Sequence, residues 1–252
     1  MSKAAALVQP IAHRGLHGRA DAAEGPIENT AEAFAAAIAK GYGIECDIRP
    51  ASCATPMVFH DGTLDRLIEG KGPLLALDAA ALKRLRYKGR STAMIDLGEL
   101  LELVGGRVPL LVEIKSEWDA PDRRLLANVA RLAGAYSGPI GLMSFDPAVM
   151  TAIRELDANI ARGIVSGSYE GEGWWHGRLS EERAFRLRHL LESRAVAPDF
   201  YAYQVGALPT PVTRYVREVA GLPLFTWTVR TPAERAIAAQ WADAPIFEGY
   251  EP

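Results

Sequence analysis

Short apolar runs alternate along this 252-residue chain with stretches whose apolar positions recur at helical spacing. The runs predict strands over 8–12, 43–48, 109–114, 140–143, 160–165, 199–203, 222–228 and 244–247. Between them the spacing predicts helices over 30–40, 123–135, 147–156, 181–193, 213–220 and 232–241. Strands separated by helices favour a parallel sheet, and eight of them suggest closure into a (β/α)8 TIM barrel. Alternation alone also suits an open, doubly wound sheet. The length favours the barrel, which typically takes about 250 residues.

One interval breaks the rhythm. About 60 residues separate the second and third barrel strands, and they hold a strand-like run over 56–59 and helical patterns over 78–86 and 97–104. We read the chain as one α/β domain over 1–252 with a small insertion, about 61–92, expected to cover the active-site face.

Composition narrows the function. A net charge of −3 argues against a nucleic-acid partner, whose binder usually carries a basic surface. The two cysteines, Cys46 and Cys53, form no metal-binding or disulfide pattern. The opening MSKAAALVQP lacks a sustained apolar stretch, and no run approaches the roughly 20 residues that span a bilayer. The expectation is a cytoplasmic protein without an integral membrane segment; the sequence leaves its oligomeric state open.

The chemistry gathers at predicted strand ends. In Ile44-Glu45-Cys46-Asp47-Ile48, side chains alternate, so both acids share one face and the apolar residues the other. If the apolar face packs on the outer helices, the carboxylates point inward near the C-terminal mouth, where barrel sites lie. Glu113 adds a third acid on the next strand, sharing its face with Lys115. Three convergent carboxylates repel unless protonated or bridged by a cation, and an all-oxygen set suits Mg2+ or Ca2+. The alternative is that they lie on a solvated face. His13 and His60 each end an apolar run and flank the acidic strand, which suits the base and acid of a phosphoryl transfer. His17, His176 and His189 lack that context and are assigned no role. Asn29, with Glu32 three residues on, reads as a helix N-cap, which leaves Glu28 unexplained.

The series His13-Arg14-Gly15, Glu28-Asn29-Thr30, Glu45-x-Asp47, His60-Asp61 with Leu64 and Arg66, and Glu113-Ile114-Lys115 resembles the glycerophosphodiester phosphodiesterase family in order and spacing. Ser144-Phe145-Asp146 and Trp227-Thr228-Val229 resemble its later strand-end signatures. The resemblance implies a barrel fold, a divalent cation on Glu45, Asp47 and Glu113, and acid–base work by His13 and His60. It implies substrate contacts from Arg14, Lys115, Glu28 and Trp227, and a small-molecule glycerophosphodiester cleaved to glycerol 3-phosphate and an alcohol. The chain departs from the pattern at Ser52-Cys53-Ala54, at Arg230 in place of asparagine, and at Phe247-Glu248-Gly249 near the end. Two other readings are a lipid-directed lysophospholipase D or phospholipase-D-type lyase, and a phosphodiester-binding protein without catalysis. An apolar groove built by the insertion with Trp174 and Trp175 would favour the lipid.

Overall fold

The computed structural model describes residues 3–18 and 25–252. In chain order the strands are β1 (Ile11–Ala12), β2 (Gly43–Pro50), β3 (Pro56–Val58), β4 (Leu110–Ile114), β5 (Ile140–Ser144), β6 (Ala161–Ser166), β7 (Phe200–Gln204), β8 (Leu224–Val229) and β9 (Ala244–Phe247). β1 pairs in parallel with both β2 and β9, so the order β1-β2-β4-β5-β6-β7-β8-β9 closes on itself as the expected eight-stranded parallel barrel. β3 lies outside that ring, antiparallel to β2.

Around the barrel run α1 (Ala31–Lys40), α2 (Ala79–Arg84), α3 (Leu97–Val104), α4 (Arg123–Ala135), α5 (Pro147–Leu156), α6 (Glu181–Arg188), α7 (Ser193–Val196), α8 (Pro211–Glu218) and α9 (Pro232–Trp241). Strand alternation divides the core in two. Ile44, Cys46 and Ile48 pack outward with Leu97, Leu100 and Val129 of the helices. Ile11, Leu111, Met143, Val165, Phe200, Phe225 and Ile246 form a separate cluster within the ring, which Leu7 joins. Phe200 fills so much of it that a Cβ on Gly163 would lie 2.2 Å from the ring. Among the described residues no helix is long and apolar enough to cross a membrane.

Three local expectations need correction. Thr30, not Asn29, caps α1, accepting from the Ala33 amide. The helix expected over 181–193 stops at Arg188, and Leu190 adopts a left-handed φ of 56°. The carbonyls freed there are satisfied from the barrel: Ser166 Oγ donates to Leu187 O and Tyr203 Oη to Arg188 O. The helix expected over 213–220 starts earlier, because Thr210 caps it and Pro211 fits its first turn.

The inserted stretch has its own small core, in which Leu64, Ile68, Leu74, Leu82 and Tyr87 pack with Met57 and Phe59. It stands beside β2 and β3, and Asp61 and Arg66 reach from it to His60 and Glu28.

Candidate active site

Register brings the acids together. β2 and β4 pair Asp47 with Glu113, and Glu45 lies two residues earlier on the same face of β2. All three carboxylates are buried, and one oxygen from each lies within 4.8 Å of the others. Lys115 Nζ reaches Asp47 Oδ1 at 2.7 Å and Glu113 Oε1 at 2.5 Å. Arg14 Nε stands 3.1 Å from Asp47 Oδ2, which also accepts from Asn29 Nδ2 at 2.8 Å. The Asp47 amide in turn donates to Asn29 Oδ1. Asn29, read from sequence as a cap, therefore fixes a candidate ligand.

Electrostatics splits the acids. Burial, reinforced by Asp47 and Glu113, holds Glu45 well above the usual carboxylate range. Burial opposes ionisation of Asp47 too, but Lys115 and Arg14 outweigh it and hold that carboxyl well below the range. The same partners keep Lys115 above its ordinary value despite burial. The Lys115 and Arg14 contacts with Asp47 are ionic rather than directional, for Asp47 Oδ1 and Arg14 Nε have no aligned hydrogen-bond partner among the described residues. A buried carboxylate oxygen without a hydrogen bond among the described residues, amid three convergent hard oxygen donors, fits a divalent cation.

The loop after β1 supplies Arg14. Arg14 and Gly15 take φ of 56° and 83°, and a Cβ on Gly15 would meet the Ala33 backbone and Cβ of α1 at 2.9 Å. Only glycine fits that approach. The turn aims the Arg14 amide at Glu45 Oε2, 3.0 Å away. Glu28 lies behind: it accepts from Arg14 Nη1 at 2.8 Å and from Arg66 Nη1 and Nη2 at 2.9 and 2.7 Å. Arg14 lines the cavity, and Glu28 holds it from behind together with Arg66.

Each candidate histidine has a carboxylate on Nδ1. His60 Nδ1 lies 2.8 Å from Asp61 Oδ1, and Arg66 Nε holds the other Asp61 oxygen at 2.6 Å. His13 Nδ1 lies 2.7 Å from Glu248 Oε2, which also takes Arg230 Nη2 at 2.9 Å. His13 Nε2 faces Glu45 Oε2 at 3.9 Å. A carboxylate on Nδ1 engages that nitrogen and leaves Nε2 to accept or deliver a proton. Burial is the largest influence on His13 and lowers its pKa to about 4. Glu248 falls to about 2, because His13 and Arg230 outweigh its own burial. The sequence marks Glu248 and Arg230 only as departures; they pair across the ends of β8 and β9, and the contact of Glu248 with His13 needs the closed barrel.

These groups open into a cavity of about 450 Å³. Opposite the acids its wall is aromatic: Phe145, Trp227, Trp118 and Trp174. Phe145 meets Trp227 and Trp174 edge-on at 5.2 and 5.1 Å, and Trp118 stacks on Trp174 at 5.9 Å. Of the tryptophan pair weighed from sequence, Trp174 lines the cavity and Trp175 does not. Nor does any residue of 61–92, so the insertion is not the expected cover and builds no apolar groove there. Ser144 and Asp146 are structural, with Ser144 Oγ bonded to Ile114 O and Asp146 capping α5.

The sequence matches the glycerophosphoryl diester phosphodiesterase family over residues 13–247. Glycerophosphodiester phosphodiesterase 1 of Mus musculus is 29% identical over 180 residues, covering 66% of this chain and 52% of that protein. The chain thus spans about half the length of the curated relatives it matches. A phosphodiesterase from Oleispira antarctica, solved with sn-glycerol-3-phosphate, superposes with a TM-score of 0.75 at 21% identity, over 98% of this chain and 95% of that one. A glycerophosphodiester phosphodiesterase from Thermotoga maritima gives 0.71 at 22%, over 95% and 94%. At these identities the structures speak for the fold.

Proposed function

The chain belongs to the glycerophosphoryl diester phosphodiesterase family, and from that premise we propose that it hydrolyses glycerophosphodiesters to glycerol 3-phosphate and an alcohol. One observation carries the reading. Three buried carboxylates converge, and two of them, Glu45 and Glu113, line a cavity with Arg14, Lys115 and two histidines, each held through Nδ1 by an acid.

Glu45, Asp47 and Glu113 would hold Mg2+ or Ca2+, which when bound supplies Lewis acidity at a phosphate oxygen. Lys115 now spans Asp47 and Glu113 as an internal cation. Released from them by a bound ion, it would join Arg14 in neutralising the remaining phosphoryl oxygens. Glu28 keeps Arg14 in place. His13, with Nδ1 held by Glu248, would take the proton of the attacking oxygen at Nε2. His60, with Nδ1 held by Asp61, would protonate the departing alkoxide. Trp227 and Phe145 would pack against the carbon skeleton of the substrate. Two free cysteines, one of them exposed, support the cytoplasmic assignment.

Incubation with glycerophosphocholine, glycerophosphoethanolamine and a lysophospholipid, with and without Mg2+, tests the reading. Glycerol 3-phosphate should appear from the soluble diesters, and chelation should abolish turnover and lower Tm. Full activity in excess chelator after dialysis would remove the cation. Faster turnover of the lysolipid would transfer the activity to lipids, and tight diester binding without turnover would leave a binding protein.

A further inference from the structure

His17, which the sequence gives no role, lies where β1 and β9 leave the barrel side by side. The register places Ala12 opposite Phe247, and the His13 amide bonds Phe247 O at 2.9 Å. His13 and Glu248 are therefore adjacent, and His17 curls back from the loop after β1 to meet them. One ligand atom each from His13, His17 and Glu248 lies within 4.8 Å of the other two.

The state of His17 is telling. Its Nδ1 donates to Gly18 O at 2.6 Å, which leaves Nε2 as the nitrogen with the lone pair. That Nε2 is buried and has no hydrogen-bond partner among the described residues. A histidine whose one ring nitrogen gives its proton to a backbone carbonyl while the other is bare is in the state metal-ligating histidines adopt. Two imidazoles and a carboxylate are a donor set for zinc, unlike the all-oxygen set on β2 and β4. Zinc bonds of about 2.0–2.1 Å put tetrahedral donors roughly 3.3 Å apart. The 2.7 Å separation of His13 Nδ1 and Glu248 Oε2 would open by about 0.6 Å to reach that spacing. The proton on His13 Nδ1 would pass through solvent to Nε2, so the ring stays neutral and Nε2 can no longer accept a proton.

We propose that His13, His17 and Glu248 form a second metal site, selective for a borderline transition-metal ion such as zinc, and that its occupation stops turnover by withdrawing His13. The inhibitory half rests on the acid–base role proposed for His13; the binding half does not. Arg230, sharing Glu248 Oε2, is the built-in competitor.

The test is zinc titration by calorimetry in saturating Mg2+, with Co2+ absorption reporting nitrogen ligation, on wild type, His17→Gln, Asp47→Asn and Arg230→Gln. His17→Gln should raise the zinc Kd about tenfold or more, leave turnover in Mg2+ alone unchanged, and raise the inhibitory zinc concentration by the same factor. Asp47→Asn should lose turnover and keep zinc binding, and Arg230→Gln should bind zinc more tightly. Equal zinc affinity in wild type and His17→Gln would overturn the site. So would zinc binding lost in Asp47→Asn but kept in His17→Gln. A protein inactive on every diester that still binds zinc through His17 would refute the activity and leave the site standing.

Discussion

Asp61→Asn separates the work of His60 from mere occupancy of the site. Asp61 touches no substrate in the proposed reaction; it accepts from His60 Nδ1 at 2.8 Å and is itself gripped by Arg66. Replacing it keeps the shape, removes the charge, and frees the imidazole to turn. A hydrogen bond to a charged group contributes about 1.5–3 kcal/mol. The side chains of His60 and Asp61 are 32% and 20% exposed, so screening reduces that to roughly 1–2 kcal/mol. The expected loss in kcat/KM is then about 5- to 30-fold. His60→Ala, which removes the acid itself, should lose about 10²- to 10⁴-fold. Both losses belong to proton donation, so they should appear with glycerophosphocholine and nearly vanish with a 4-nitrophenyl diester, whose leaving group departs without a proton. His13→Ala should be impaired on both substrates. Steady-state kinetics on the two diesters in saturating Mg2+ gives the comparison. Equal defects on both diesters for Asp61→Asn would refute acid catalysis by His60 and reduce the pair to a phosphate support. The reverse pattern, with His13→Ala sensitive to the leaving group, would exchange the two roles.

Two more outcomes follow from burial. His13 is held near pKa 4 in the folded protein, chiefly by burial, against about 6.5 when unfolded. Between those values the unfolded chain binds the extra proton, so stability falls as pH drops from about 6.5 towards 4. In chelator, the Tm of His13→Gln should fall less steeply across that window, and parallel profiles would contradict the assignment. Leu82→Ala, which hollows the core of the insertion, should cost about 2–5 kcal/mol in denaturant melts. The ratio of rates on two head groups should stay the same, and a changed ratio would return the insertion to the substrate pocket.

The barrel strands were legible because each is a short apolar run bounded by helical spacing, and the acids of β2 and β4 because alternation forces them to one face. What stayed hidden depends on partners distant in sequence. Asn29 and Thr30 are both good caps, and the choice falls on Thr30 because Asn29 is engaged by Asp47, 18 residues on. The break after Arg188 is set by hydroxyls on β6 and β7 that accept no part in local periodicity. Glu248 looked like an aberration in a motif, and only the pairing of β1 with β9 makes it the partner of His13. The insertion looked like a lid from its position in sequence, whereas its apolar residues turn towards one another and leave the cavity wall to Trp118 and Trp174.

The two-residue strand β1 closes the ring against β9, and His13 and Glu248, the outermost of the site residues in sequence, sit on that seam. His13 leaves the ribosome first among them and Glu248 last, so a growing chain holds one half of the dyad long before the other exists. A fragment cut short before β9 would keep Glu45, Asp47, Glu113 and His60 yet leave His13 without its acid and β1 without one neighbour. The proposed catalysis is thereby tied to completion of the barrel. Aborted or clipped copies should bind the cation without full turnover, and activity becomes a gauge of whether the two ends of the domain have met.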